Sequence, residues 1–430
     1  MISIQNKLAT NPGQTLIIFF CLFSSTLVAQ VTAQWRGPQR DGIFRETGLM
    51  TQWPAGGPVL LWSVATIGKG YSSAVSDGNA VYVTGMKDTT DYLSAYTQKG
   101  ELLWQVPFGP SWSKSFPETR TTPTVDNGFI YVISGGGTIA CIQAADGKIK
   151  WSVDGLKRYS GALGEWGVCE SPLVYGDKVI YTPAGQKTTM VGLDKNTGET
   201  LWESPSLSDT SAYVSPLLFQ TGNKNIIVST INKYFFGTDA GTGKILWSYD
   251  YAALQPEASL KIWPGAPKTN TITPLYSDGS LYITGGYNHV GAMFNLSEDA
   301  SAITLTWTDT VLDCHHGGVV LLDGYIYGAN WINNGNGNWC CIEWKTGKKM
   351  WEEKWFNKGA VIAAEGMLYC VDEKTFNIGL VKPNPQKFEL VSSFKVTKGK
   401  GPLWAHPTIY NGILYIRHGE ELMAYDLRKP

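Results

Sequence analysis

Thr122-Pro123-Thr124-Val125-Asp126-Asn127-Gly128-Phe129-Ile130-Tyr131 is one half of a block that recurs along almost the whole chain. The other half reads Thr197-Gly198-Glu199-Thr200-Leu201-Trp202. The tyrosine closing the first half returns at Tyr82, Tyr131, Tyr181, Tyr282, Tyr327, Tyr369 and Tyr415, and one repeat between Tyr181 and Tyr282 lacks it. The Gly-x-x-x-Trp of the second half returns at Gly100/Trp104, Gly147/Trp151, Gly198/Trp202, Gly243/Trp247 and Gly347/Trp351. A period in the forties, built from short alternating strands and glycine turns, is the pattern of β-propeller blades.

Counting the segments that enter each innermost strand gives eight blades, beginning near Ser73, Thr122, Ser171, Ser215, Thr273, Gly318, Ala360 and His406. The fold expected is all-β: an eight-bladed propeller of four-stranded antiparallel blades. Blade four has Asn225-Ile226-Ile227-Val228 where the others carry Gly and Tyr, and blade seven ends in Phe394 where the others carry Trp. After Leu422-Met423-Ala424-Tyr425-Asp426 no turn and fourth strand follow. Val59-Leu60-Leu61-Trp62-Ser63-Val64 matches the missing strand and has no preceding turn of its own repeat. The N-terminal strand is therefore expected to complete the last blade, removing two exposed sheet edges.

Composition narrows the function classes. The chain has 430 residues and a net charge of -1, so neither a basic nucleic-acid surface nor an acidic tail is indicated. Its 48 glycines and 17 tryptophans suit many tight turns with recurrent aromatic plugs. Lys7 and the apolar run from Leu16 to Val28 read as a secretory leader, because a membrane span needs roughly 20 apolar residues. Residues 1–33 are accordingly taken as a signal peptide and 34–430 as one propeller domain, exported to the periplasm or beyond with no transmembrane anchor after cleavage. Cys21 lies in the apolar run after Phe19-Phe20, which lacks the small residues of a lipid-attachment site. The six cysteines left are too few for a disulfide scaffold, and no Cys-x-x-Cys-His is present to hold a haem.

The inner-strand Ser/Thr-Pro, the Asp-Gly turn and the Asp-x-x-Thr-Gly-x-x-x-Trp element spanning Asp194 to Trp202 resemble the pyrroloquinoline-quinone (PQQ)-type propeller family over residues 35–427. Trp35-Arg36-Gly37-Pro38, Arg40-Asp41-Gly42, His315-His316-Gly317-Gly318, Trp404-Ala405-His406-Pro407 and Arg417-His418-Gly419 resemble its secreted bacterial members described as polyvinyl-alcohol-dehydrogenase-like. The resemblance implies the fold strongly and the activity weakly, since the family includes quinone-dependent dehydrogenases and non-catalytic scaffolds.

Function is sought where the repeats disagree. The segments entering the innermost strands meet at one mouth of the central channel. Three residues before the Pro position they carry Tyr71, Arg120, Cys169, Tyr213, Thr271, His316, Lys358 and Trp404, with Glu170, Asp313, His315 and His406 beside them. In an eight-fold ring Arg120 opposes His316 and Glu170 opposes Lys358. Such divergence suggests a site grafted on a scaffold, or else a wet channel whose polar groups satisfy one another.

The loops after blades one to four are longer than those after six to eight and carry Phe108, Trp112, Phe116, Tyr159, Trp166, Tyr251 and Trp263. These aromatics form either a wall for a flat ligand such as a quinone or sugar ring, or packing for the loops themselves. Adjacent His315 and His316 on extended chain point oppositely, so hydrogen bonding or proton transfer by His316 is expected rather than a metal site. Cys341 aligns with the core position of Cys141, so Cys340-Cys341 is read as core. Asn333 to Asn338 reads as a turn, with a calcium role left open.

For a quinoprotein, the resemblance implies PQQ with calcium, an alcohol-bearing substrate and a separate electron acceptor. Glu170, Asp313 or His316 would then move the proton. Arg120, Lys358, Tyr71, Tyr213, Trp404 and His406 would hold the cofactor. No residue-by-residue match to the dehydrogenases' calcium-binding acids exists in the sequence. Two alternatives stand beside it: a scaffold that binds a peptide or glycan at the same mouth, and a hydrolase or lyase using the His, Glu, Arg and Lys set directly.

Overall fold

A computed structural model of the chain describes residues 32–256 and 269–429. Eight antiparallel sheets follow one another in sequence, seven of four strands and one of five. The eight-bladed ring is as expected, and the blades run from the axis outward in chain order except for the strands that the N-terminal segment adds to blades seven and eight. The last blade is completed by Val59–Val64, antiparallel to Glu421–Asp426 with Trp62 opposite Ala424. The leader expected over residues 1–33, with Cys21, falls outside the described residues but for its last two positions. No described helix is long and apolar enough to cross a membrane.

The two halves of the repeat have separate structural uses. Within a blade the second-strand tyrosine packs against the outer-strand tryptophan, with ring centroids 6.2 Å apart for both Tyr82–Trp104 and Tyr131–Trp151. Between blades that tryptophan reaches the next turn: Trp104 Nε1 donates to Ala144 O at 3.1 Å and Trp151 Nε1 to Lys195 O at 3.0 Å. Its ring lies over Gly147, whose φ of +73° and missing Cβ are both required, because a Cβ there would come 2.7 Å from Trp104. The same contact closes the ring, with Trp62 donating to Gln98 O at 2.8 Å.

At the axis the inner-strand hydroxyls form a hoop. Ser73 N donates to Thr122 Oγ1, Thr122 N to Ser171 Oγ and Ser171 N to Ser215 Oγ, all at 2.9–3.0 Å. The hoop lacks hydroxyls where the repeats place Gly318 and Ala360. There the N-terminal segment enters the channel. Buried Arg36 donates to Val319 O at 2.6 Å, to Val361 O at 3.0 Å and to His406 Nδ1 at 3.0 Å. A Cβ on Gly318 would collide with its guanidinium. On the opposite wall buried Arg40 donates to Ser171 O and Pro216 O at 3.1 Å, and to Pro172 O.

Ile43–Phe44 then joins blade seven as a fifth, parallel strand along Gly359–Ala364. The channel is thus plugged by the chain itself. Charged guanidiniums are tolerated in that interior because oriented carbonyls replace their water.

Blade seven also lacks the outer-strand tryptophan, and the same segment supplies it. Trp53 packs 5.2 Å from Phe394, edge to face, and 5.9 Å from Tyr369. The closing strand has a turn after all, in Pro54 to Gly57, whose Gly57 lies against Phe394 as the repeat glycines lie against tryptophan.

Candidate functional site

All eight residues that enter the innermost strands reach one cavity of about 630 Å³ at the mouth above the plug. Tyr71, Arg120, Cys169, Tyr213, Thr271, His316, Lys358 and Trp404 line it, and so does His406. Divergent side chains meet there because the blades fix where each inner strand begins, whatever residue stands at its entrance.

Glu170 and Asp313, expected as proton-moving carboxylates, do not line the cavity. Glu170 is buried in blade three, accepting from Thr182 N at 3.1 Å and Thr182 Oγ1 at 3.2 Å. Asp313 is likewise buried, accepting from Asn288 N and Trp331 N at 3.0 Å. One residue's difference in position on extended chain turns a side chain to the opposite face, and that separates Glu170 from Cys169. Burial pushes both carboxyls up to about 8, against hydrogen bonds that pull down.

The carboxylate that does reach the cavity is Glu373, at the turn after the second strand of blade seven. Its Oε1 accepts from Lys358 Nζ, and its Oε2 lies 3.0 Å from His316 Nε2. Burial alone would raise this carboxyl; His316 and Lys358 together outweigh it and hold the group below the usual range. The turns after second strands also deliver Tyr287, Trp331 and Asn334. An antiparallel blade returns its second strand to the end where its first began, so these turns share the mouth. The charged Asp372-Glu373-Lys374 and the Trp331 turn were the available signals for this second ring. Trp35, the remaining addition, comes from the plug and has no repeat position at all.

His406 is clamped from below. Arg36 has no acceptor, so His406 Nδ1 accepts from it and Nε2–H donates to His316 O at 2.7 Å. Burial, then the Arg36 charge, keeps this ring neutral, with its affinity for a proton well below the ordinary histidine value. His315 is also held neutral by burial, with Nε2 2.7 Å from Tyr287 Oη.

Arg120 lines the cavity and gives three of its N–H hydrogens to nearby carbonyls. It donates to Glu118 O at 3.1 Å, Trp166 O at 3.2 Å and Phe116 O, and lies 5.7 Å over the Tyr71 ring. It fastens the loop bearing Phe116.

The walls are aromatic. Tyr71 and Trp404 stand 4.8 Å apart, Trp166 and Tyr213 4.9 Å, and Tyr287 and Trp331 5.1 Å. Of the seven loop aromatics, Phe116 and Trp166 line the cavity, whereas Phe108, Tyr159 and Tyr251 are buried in blade packing. Trp112 covers Gly135 and Gly167 instead, and Trp263 lies outside the described residues. Cys340 and Cys341 are free thiols in the core.

Calcium with PQQ does not fit this donor set. Calcium takes six to eight oxygens, mostly carboxylates. Glu373 is the cavity's one carboxylate among the described residues, and it is tied to Lys358 and His316. No group of three or more His, Cys, Asp or Glu side chains suited to a metal ion exists among the described residues.

Comparison with known proteins accords with the repeat. The family model described as outer membrane protein assembly factor BamB matches residues 54–154 and 89–353. The chain belongs to that family, within the PQQ-type repeat propellers. Outer membrane protein assembly factor BamB of Nitrosomonas eutropha is 26% identical over 166 residues, covering 38% of this chain and 36% of that protein. The Salmonella typhimurium protein of the same name is 24% identical over 182 residues, 41% of this chain and 42% of that one. The matched stretch thus spans less than half of these relatives. Among solved structures, BamB from Moraxella catarrhalis superposes with a TM-score of 0.61 at 16% identity, over 86% of this chain and 99% of that one. Quinohemoprotein alcohol dehydrogenase from Comamonas testosteroni gives 0.61 at 12% identity, over 87% and 77%. At such identities these structures share the fold alone.

Proposed function

We propose, with membership of that family as the premise, that this is an exported binding propeller that holds a compact ligand in its mouth cavity without calcium-assisted turnover. The observation that carries the reading is a cavity walled by aromatic rings and floored by the chain's own N-terminal plug, with its one described carboxylate already paired. Its volume of about 630 Å³ suits a ligand buried on most sides. Rings seated on eight interlocked blades are ordered before binding, so little side-chain entropy is lost when a ligand stacks on them. In this reading Trp404, Tyr71 and Tyr213 supply stacking faces, Lys358 and His316 supply hydrogen bonds, and His406 supports the backbone of His316 from beneath. The leader at residues 1–33 is the basis for export.

The test is to incubate the purified full chain with PQQ and calcium chloride, remove the excess, and record quinone absorbance and alcohol-dependent dye reduction. No retained quinone is the expected result. Retention with turnover would overturn the reading and restore the quinoprotein expectation.

The family's description as an outer membrane protein assembly factor favours a second reading, in which the same mouth seats a partner protein. Phe116, which lines the cavity, Ile332, next in chain to Trp331, and Phe356, two residues before Lys358, are each about half exposed or more. Replacing Phe356 by Arg would then abolish capture of a partner while leaving small ligands bound.

A further inference from the structure

The charge and the aromatic walls of the cavity narrow the ligand further, and the argument rests on the binding reading above. From it we infer that the mouth cavity is a site for an uncharged polyhydroxylated ring, a short neutral oligosaccharide.

The first ground is electrostatic. Lys358 donates to Glu373, which also lies against His316, so the cavity-floor ion pair is internally balanced. Arg120 directs its donors at three backbone carbonyls. A polyanion such as PQQ or a uronate chain would meet in Arg120 a single cation without an ion-pair partner among the described residues, which is too little to offset the desolvation of several carboxylates. The second ground is the shape of the apolar surface. The Tyr71–Trp404 and Trp166–Tyr213 pairs form separate walls, and a saturated ring presents C–H faces to such walls while its equatorial hydroxyls point sideways.

A peptide competes less well. Peptides bind by adding to a free strand edge or lying in an extended groove, and residues 33–44 cover inner edges here by pairing with Val125 and with Ala363–Ala364.

Isothermal titration and tryptophan fluorescence on the full chain test this. The neutral probes are cellotriose, maltotriose, xylotriose and chitotriose. Trigalacturonate, PQQ with calcium and an uncharged tryptophan-containing tetrapeptide are the contrasts. At least one neutral trisaccharide is expected to bind and to shift tryptophan emission. Trp404→Ala should weaken it roughly tenfold or more. Phe116→Ala, on an exposed side chain whose loss does not threaten folding, should weaken it in the same direction. Trigalacturonate is expected to bind at least about tenfold less tightly. Binding of the peptide or PQQ, with none of the four sugars bound, would overturn the sugar assignment and leave a binding site. Equal binding of trigalacturonate would overturn the requirement for a neutral ligand. Silence from every probe would overturn both this inference and the binding reading beneath it.

Discussion

Blades one to four and blades six and seven are built on the same repeat but are closed by different means. In the first group each inner strand offers a hydroxyl to the backbone of the blade before it, and the outer strands of blades one to three each offer a tryptophan to the turn glycine of the blade after. Blades six and seven lack those hydroxyls, and blade seven lacks the tryptophan. From the segment before the first blade, Trp53 packs on Phe394 and Tyr369 of blade seven, and Arg36 donates to the Val319 and Val361 carbonyls beside the missing hydroxyls. The comparison teaches that a repeat can drift wherever a non-repeating segment satisfies the exposed groups. The drifted side borders the chemically richest part of the cavity, where His316, Lys358 and Glu373 sit.

The strongest way to break the comparison is to remove residues 34–64. This takes away the plug, Trp53 and the closing strand together, and no soluble folded protein is expected. A truncated chain that melts like wild type would show that blade seven does not need outside help. Trp53→Ala should destabilise by about 3–5 kcal/mol, as for a large buried aromatic; chemical denaturation measures it. Arg36→Met should cost about 3 kcal/mol, because the carbonyls of Val319 and Val361 lose their donor. It should also free His406 Nδ1, so the His406 ring signal in proton NMR should move only in this variant.

The buried carboxylates sharpen the comparison through pH. Glu170 and Asp313 titrate near 8 in the folded chain, well above their unfolded values. The native state therefore binds more protons than the unfolded state from about pH 4.5 to 8. Their contribution to stability is present at the acid end of that window and is lost as pH rises through it. The slope approaches 1.4 kcal/mol per pH unit for each group at most. Glu170→Gln and Asp313→Asn should each flatten the decline in melting temperature over this range.

Smallest of all, Ser171→Ala should cost about 1 kcal/mol, since one backbone donor at Thr122 loses a neutral partner while neighbouring hoop bonds persist. If Ser171→Ala proved as damaging as Arg36→Met, the two closures would be equivalent and the contrast would fail.

Much of this was legible in the chain. The tyrosine and tryptophan periods gave the blade count, and the orphan strand Val59–Val64 gave the closure. Positions entering inner strands gave most of the cavity lining, because their register is tied to the repeat. Glu170 was misplaced because one position on a strand reverses the facing of a side chain. Glu373 was missed because second-strand turns return to the same mouth, which no linear spacing announces. Trp35, Arg36 and Trp53 were legible as residues, but nothing local fixes where a non-repeating segment docks.

The sequence by itself determined the number of blades, their strand order and the strand that joins the ends, since those follow from periodic local pairing. Only the tertiary structure decided that the channel is plugged, which carboxylate faces the cavity and which charges cancel there. Those outcomes depend on contacts between residues hundreds of positions apart, such as Arg36 with Val361 and His406. Their geometry is set by closure of the ring and not by any stretch of chain alone.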